Sequence, residues 1–157
     1  YLLPVDITGK NIRLGISLSD LYKKLATYPV KGAYVFLDAC FSGGYKSAAP
    51  LLAQKGVRVV PKVGLPQGNT LSFSSSSGDQ TSSVYHEKKQ GYYTYFLIKT
   101  IRDAKGNISM KELFDRTSAA VKRATALIDK IQEPQCMASP TWIGWEDIKL
   151  ETPVVTP

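Results

Sequence analysis

Cysteine and histidine are scarce in this chain, and their scarcity excludes several kinds of site. The 157 residues contain two cysteines, Cys40 and Cys136, and one histidine, His86. Two cysteines are too few for a disulfide framework. Together with His86 they offer only three soft ligands, without the paired spacing that a zinc site needs. We therefore expect no metal site built from these residues and no resident cofactor.

Long apolar runs and dense basic stripes are missing as well. No apolar segment approaches the length of a membrane helix, and no signal-peptide pattern opens the chain. The net charge of +7 is spread over short pairs such as Lys23-Lys24, without the aromatic-interleaved stripe typical of nucleic-acid surfaces. These absences favour a soluble protein with neither nucleic acid nor membrane as partner. Its compartment stays open, cytoplasmic or exported in a bacterium.

Three helices are predicted where apolar residues recur at helical spacing. The first begins after Ser17, a suitable capping residue, and Pro29 ends it. The second is the aromatic segment 92–101. The third carries an apolar stripe over residues 110–131, behind a capping box that Ser109 opens.

Strands are predicted at residues 32–37, 57–60, 70–75 and 141–145, between the helices. This alternation indicates an α/β fold with a mostly parallel sheet and helices on its faces. The strong strands are fewer than such a sheet usually has. The chain also opens on core-like residues at Tyr1, so we interpret it as a piece of a larger protein whose N-terminal strands lie upstream.

The strand at 32–37 leads directly into Asp38, Ala39 and Cys40, and a small turn at Ser42 and Gly43 follows. Ligands and chemistry in open α/β sheets usually lie at the carboxyl ends of strands. The strand at 70–75 also ends in a small polar loop. If the two strands are parallel neighbours, their ends form a cleft beside Cys40.

The chemistry available at Cys40 depends on what activates its thiol. A thiol becomes a good nucleophile when a base or a positive environment shifts it to the thiolate. The neighbouring anion, Asp38, disfavours the thiolate if it faces the sulfur, so we expect it to face elsewhere. The backbone N–H groups of the turn around Ser42 and Gly43 are suitable oxyanion donors.

Residues 37–43, Leu-Asp-Ala-Cys-Phe-Ser-Gly, resemble the nucleophile motif of caspase-like cysteine peptidases, the group of metacaspases and bacterial caspase homologues. Residues 1–6 are similar to the segment after that family's His-Gly strand end, and residues 74–82 to its next strand and loop. Residues 91–97 resemble its Gly-x-Phe-Thr-x-x-Leu helix start, and residues 109–113 its following helix. The resemblance therefore covers nearly the whole chain in the family's order.

The resemblance implies a caspase-like three-layer sandwich with a mostly parallel sheet and helices on both faces. Residues 1–150 would form the part of the catalytic domain that carries the nucleophile, and residues 151–157 a tail or linker. The implied activity is that of a cysteine endopeptidase, with autoprocessing at basic residues. Similar enzymes often need calcium, but no cluster of acidic residues here argues strongly for such a site.

By the same resemblance Cys40 is the nucleophile, and the S1 pocket is lined by Asp38, Ser75 and Asp79. Acidic S1 residues favour Arg or Lys at the P1 position of the substrate, because a carboxylate pairs well with a basic side chain. One departure weakens the pattern. Val84 stands where metacaspases usually carry an additional aspartate.

The general base of the family is a histidine about 50 residues upstream of the cysteine. Counted from Cys40, that position falls before Tyr1, so the N-terminal part of the same proenzyme is the expected partner. The histidine that is present, His86, lies in a polar stretch that corresponds to the family's variable loop.

Two alternatives to a catalytic dyad of Cys40 and an upstream histidine remain open. One is a non-catalytic caspase-like scaffold or regulatory module. The other is a self-sufficient cysteine hydrolase that uses His86 as its base. Cys136 is interpreted as structural under each of them.

Overall fold

The computed structural model describes residue 2 and residues 14–39, 64–77 and 80–150. The elements within these ranges, in chain order, are α1 (Leu18–Ala26), β1 (Ala33–Leu37), β2 (Thr70–Ser74), β3 (Val84–Tyr85), β4 (Gln90–Gly91), α2 (Tyr92–Asp103), α3 (Met110–Ala126) and β5 (Gln135–Ala138). Short 3-10 helices cover His86–Lys88 and Trp145–Asp147. The strand predicted at 57–60 lies outside the described residues.

The main sheet of the described part has the strand order β1-β2-β5. β1 and β2 are parallel, with Ala33 opposite Thr70 and Leu37 opposite Ser74. β5 is antiparallel to β2, so this sheet is mixed. β3 and β4 form a separate two-stranded hairpin. The predicted α/β architecture is confirmed, and so is the parallel pairing of the two strands that end in polar loops.

β2 is the central strand, and its two faces contact different helices. Leu71 and Phe73 belong to a buried cluster that includes residues of α2 and α3, among them Tyr93 and Leu113. Ser72, between them, accepts a hydrogen bond from the Tyr22 hydroxyl of α1 at 2.8 Å. Because successive residues of a strand point to opposite faces, α1 packs on the face of β2 opposite the Leu71–Phe73 cluster.

The predicted helix starts are confirmed by their caps. The Ser17 hydroxyl accepts from the backbone N–H of Asp20 at 3.2 Å, and the Ser109 hydroxyl accepts from that of Glu112 at 3.2 Å. Each bond satisfies one of the N–H groups that a helix start leaves without an intrahelical partner. The local sequence was therefore sufficient to locate where α1 and α3 begin.

The end of the third predicted helix was wrong. α3 stops at Ala126 rather than continuing to residue 131. Asp129 takes a left-handed conformation, with φ of 52°. The N–H of Lys130 then donates to the Thr125 carbonyl at 3.0 Å, which ends the helix in a Schellman motif. The last apolar residue of the stripe, Ile131, is 75% exposed.

The last strand was also predicted in the wrong place. It lies between Pro134 and Pro140, whereas residues 141–144 form a turn and Trp145 begins a 3-10 helix. Gly144 adopts φ of 77° and reverses the chain there. The strand forms because Ser139 and the residues before it pair with β2, with the Ser139 N–H donating to the Thr70 carbonyl at 3.0 Å.

Candidate active site

The carboxyl ends of β1 and β2 lie side by side and are joined by hydrogen bonds. The backbone N–H of Ser75 donates to the Leu37 carbonyl at 2.9 Å. The Ser75 hydroxyl donates to the Ala39 carbonyl at 3.2 Å, and the Ser75 side chain is fully buried. Ser75 therefore fixes the backbone of the residue that directly precedes Cys40.

Four of the predicted site residues lie outside the described ranges. They are Cys40, Ser42, Gly43 and Asp79. Their roles as nucleophile, oxyanion turn and S1 residue stay predictions. The described residues Asp38, Ala39 and Ser75 define the edge of the site from which the chain continues to Cys40.

Asp38 is held by donors from two other segments of the chain. Its Oδ1 accepts from the Ser82 hydroxyl at 2.5 Å. Its Oδ2 accepts from the Thr94 hydroxyl at 2.6 Å and from the Thr94 backbone N–H at 3.2 Å. Although it makes these bonds, the residue remains exposed to solvent. The carboxylate is thus fixed in orientation and accessible at the same time.

The position of Asp38 follows from the start of α2. The N-cap residue of this helix, Gly91, has no side chain to offer its first-turn N–H groups. The Asp38 carboxylate supplies that acceptor from the end of β1. Negative charge is also stabilised near a helix N-terminus by the helix dipole. A strand end and a helix start are therefore linked through one side chain.

Position 91 requires glycine because the Asp38 carboxylate lies so close to it, and not because of the backbone conformation there. Its φ of −68° and ψ of 149° are accessible to any residue. A Cβ at this position would collide with the carboxylate of Asp38, which provides all three of its nearest atoms. The glycine therefore makes room for Asp38.

The hairpin that carries Gly91 is attached to α2 by stacked aromatic rings. Tyr85 of β3 stacks on Tyr92 with ring centroids 4.5 Å apart and an interplanar angle of 1°. Tyr95 packs edge-on against Tyr85 at 5.1 Å. Such pairs contribute about 0.5–1.5 kcal/mol beyond the area they bury. The stack holds the hairpin against the first turns of α2, where Asp38 is bound.

A buried glutamine, which the sequence did not single out, supports the loop after β2. Gln132 is 1% exposed. Its Nε2 donates to the Ser75 carbonyl at 3.0 Å, and its Oε1 accepts from the Ser83 backbone N–H at 2.9 Å. One amide thus bridges the residue that fixes Ala39 and the segment that enters the hairpin.

The adjacent residue forms a second link to the same loop. The Glu133 backbone N–H donates to Gln80 Oε1 at 2.7 Å, and Gln80 Nε2 donates to Glu133 Oε2 at 3.3 Å. Gln80 precedes Ser82, which binds Asp38. The segment between α3 and β5 therefore holds the polar loop at two consecutive positions.

His86 begins the 3-10 helix between β3 and β4 and is exposed. Its carbonyl accepts from the Lys89 N–H at 3.1 Å, which closes the turn. Val84, at the position of the expected additional acid, is 55% exposed. The hairpin therefore presents His86 to solvent and brings no carboxylate at position 84.

The second cysteine has an environment that disfavours its thiolate. Burial, together with the nearby carboxylates of Asp115 and Glu146, raises the pKa of the Cys136 thiol to about 12. Burial and the nearby Asp38 carboxylate likewise raise the pKa of Tyr93. Cys136 is therefore a neutral thiol near neutral pH, which agrees with a structural role.

The described ranges contain neither a metal-binding cluster nor a membrane-spanning helix. No group of three or more His, Cys, Asp or Glu residues within them is arranged to hold a metal ion. None of the helices found there combines the length and the apolar character needed to cross a membrane.

Residues 1–141 match the family model described as the caspase domain. No curated protein matches the chain significantly.

Proposed function

This chain belongs to the caspase-domain family of cysteine peptidases, and we propose that it is a cysteine endopeptidase that cleaves after Arg or Lys. Cys40 is the proposed nucleophile. Asp38, Ser75 and Asp79 are the proposed S1 residues. The same preference for basic residues would allow the proenzyme to process itself.

The proposed specificity rests on the fixed orientation and the solvent exposure of the Asp38 carboxylate. The carboxylate is fixed two residues before Cys40 and remains exposed to solvent. A basic P1 side chain would gain a charge-assisted hydrogen bond there, which is stronger than a neutral one. An acidic P1 side chain would meet a like charge. Ser75 contributes indirectly, because it orients the Ala39 carbonyl at 3.2 Å.

The proposed reaction is acyl transfer through the cysteine. The Cys40 thiolate attacks the scissile carbonyl, and the N–H groups of the turn at Ser42 and Gly43 stabilise the oxyanion. A histidine protonates the leaving amine, and water then hydrolyses the thioester. No step of this proposed chemistry is assigned to a metal ion or a cofactor.

We assign the histidine to the N-terminal part of the same proenzyme, about 50 residues upstream of the cysteine, as in caspases. The exposed position of His86 at the start of a 3-10 helix favours this assignment over a dyad within the chain. The upstream part would add strands to the sheet and complete a three-layer sandwich. The packing of α1 on the face of β2 opposite the Leu71–Phe73 cluster is consistent with that architecture.

The test measures hydrolysis of fluorogenic peptides with Arg or Lys at P1, by the chain with and without its upstream segment. Activity is expected when the upstream segment is present. Cys40→Ala should abolish it, and the matched control Cys136→Ala should retain it. Assays in EGTA and in calcium determine whether calcium is required.

The other outcomes identify the alternatives. If neither form hydrolyses a peptide or labels with a thiol-reactive probe at Cys40, the proposed function is wrong and a scaffold or regulatory module is favoured. If the chain alone is active and His86→Ala removes that activity, His86 is the base and the assignment to an upstream histidine is wrong.

A further inference from the structure

The hydrogen bonds of Asp38 limit how many more donors its carboxylate can accept. An ionised carboxylate offers about four acceptor positions on its two oxygens. Oδ2 accepts two bonds, from the hydroxyl and the N–H of Thr94, and Oδ1 accepts one from Ser82. Counting the donors of the described residues, both positions on Oδ2 are therefore occupied, and one remains on Oδ1.

The small number of acceptor positions left on Asp38 limits how it can bind a basic side chain. A guanidinium binds a carboxylate most strongly through two parallel N–H bonds, one to each oxygen. Because Oδ2 is filled, that arrangement is not available at Asp38. The ammonium of lysine is a compact charge that can pair with a single acceptor oxygen, while its other N–H groups bond to water at this exposed site.

The carboxylate cannot easily turn to free its second oxygen. A rotation would break the bonds to Thr94 that cap α2. Gly91 packs against the carboxylate, and the stack of Tyr85 on Tyr92 holds Gly91 in place. The orientation seen in the structure is thus determined by several segments together.

We propose that Thr94 and Ser82 are positioning residues that restrict Asp38 to one donor from the substrate, so that this site binds Arg and Lys at P1 almost equally well. The inference rests on the proposed function, since it concerns the specificity of that site. Thr94 and Ser82 act through their hydrogen bonds to Asp38.

The first experiment compares Arg and Lys peptides that are otherwise identical, using the full protein with its upstream segment. The wild type is expected to show kcat/KM values for the two that differ by less than about tenfold. Thr94→Val frees one acceptor position on Oδ2. It should raise the Arg-to-Lys ratio of kcat/KM about two- to tenfold, the effect of one additional hydrogen bond at an accessible site.

Two further variants separate positioning from a general loss of structure. Thr94→Ser keeps the hydroxyl and should restore the wild-type ratio. Thr27→Val removes a comparable bond at the end of α1, where the Thr27 hydroxyl donates to the Lys24 carbonyl at 2.7 Å, and should leave the ratio unchanged. A wild type that prefers Arg by more than about tenfold, or a Thr94→Val ratio equal to that of the wild type, would overturn the proposal.

A second experiment tests the contact between Asp38 and Gly91 through protein stability, without measuring catalytic activity. Gly91→Ala should raise the equilibrium constant for unfolding, [U]/[N], at least about tenfold when Asp38 is present, and much less in an Asp38→Ala background. Equal effects in the two backgrounds would overturn the positioning of Asp38 even in an active enzyme. If this coupling is found but no form of the protein cleaves peptides, the positioning stands, whereas the proposed function and the specificity inferred from it are wrong.

Discussion

At the scale of single residues, the environment of each acidic or thiol group determines what it can do. Asp38 is bonded on both oxygens and yet exposed, so its charge is both oriented and accessible. Cys136, by contrast, is partly buried and uncharged. It is part of the packing around the buried core, and burial with two nearby carboxylates keeps its thiol protonated.

The pKa of Cys136 predicts how its contribution to stability depends on pH. Its folded pKa of about 12 lies above the ordinary value of 9.0, so the folded state holds the proton more tightly than the unfolded state. This contribution is complete below pH 9.0 and is lost as the pH rises towards about 12. Urea unfolding of the wild type and of Cys136→Ala at increasing pH should show a stability difference that narrows above pH 9.0. A difference that stays constant would contradict the prediction.

At the scale of elements, the site is built where loops and helix ends meet, and Gln132 is its main internal support. Gln132→Met keeps the size of the side chain but removes both hydrogen bonds, leaving the Ser75 carbonyl and the Ser83 N–H without this partner. We expect the free energy of unfolding to fall by about 2–4 kcal/mol, since an unsatisfied buried group costs about 1–3 kcal/mol. Chemical denaturation monitored by tryptophan fluorescence measures this change in the free energy of unfolding.

Gln135→Met provides the matched control for this prediction. Gln135 is exposed, and its Nε2 donates to the Glu133 carbonyl at 3.0 Å. Its replacement should change the free energy of unfolding by no more than about 0.5 kcal/mol, as is usual at the surface. Equal losses in the two variants would indicate that the bridge made by Gln132 contributes nothing specific.

At the scale of the whole molecule, stability should be highest along β2. This strand is buried over its full length and pairs on both sides, whereas the β3–β4 hairpin has two residues in each strand and lies largely at the surface. Native-state hydrogen exchange is therefore expected to be slowest in β2 and faster in the hairpin, because local opening exposes less buried surface there. Slower exchange in the hairpin would contradict this view of the core.

The fold was predictable from the sequence where the determining signal is local. Ser17 and Ser109 cap helices within three residues of themselves, and those starts are correct. The end of α3 was missed because the apolar stripe continues past Asp129, whose left-handed conformation is not apparent from composition. β5 was missed because it exists through pairing with β2, more than sixty residues earlier in the chain.

The candidate site was predictable only in part for the same reason. Asp38 and Ser75 were identified from the motif and from the polar ends of two strands. Thr94 and Gln132 were not, since their partners lie 56 and 57 residues away in sequence. No periodicity or short motif connects such distant positions, so the supporting residues became visible only in three dimensions.

The contact between Asp38 and Gly91 has a consequence for protein engineering. Replacing Asp38 to change the specificity would also remove the cap of α2, so the redesigned protein would lose stability together with its original preference. The remedy lies in the same contact, because the carboxylate provides the three atoms nearest to a Cβ at position 91. Once Asp38 is shortened to alanine, a serine at position 91 gains room and can cap the helix from its own N-cap position. A redesign of this pocket should therefore exchange the two residues as a pair.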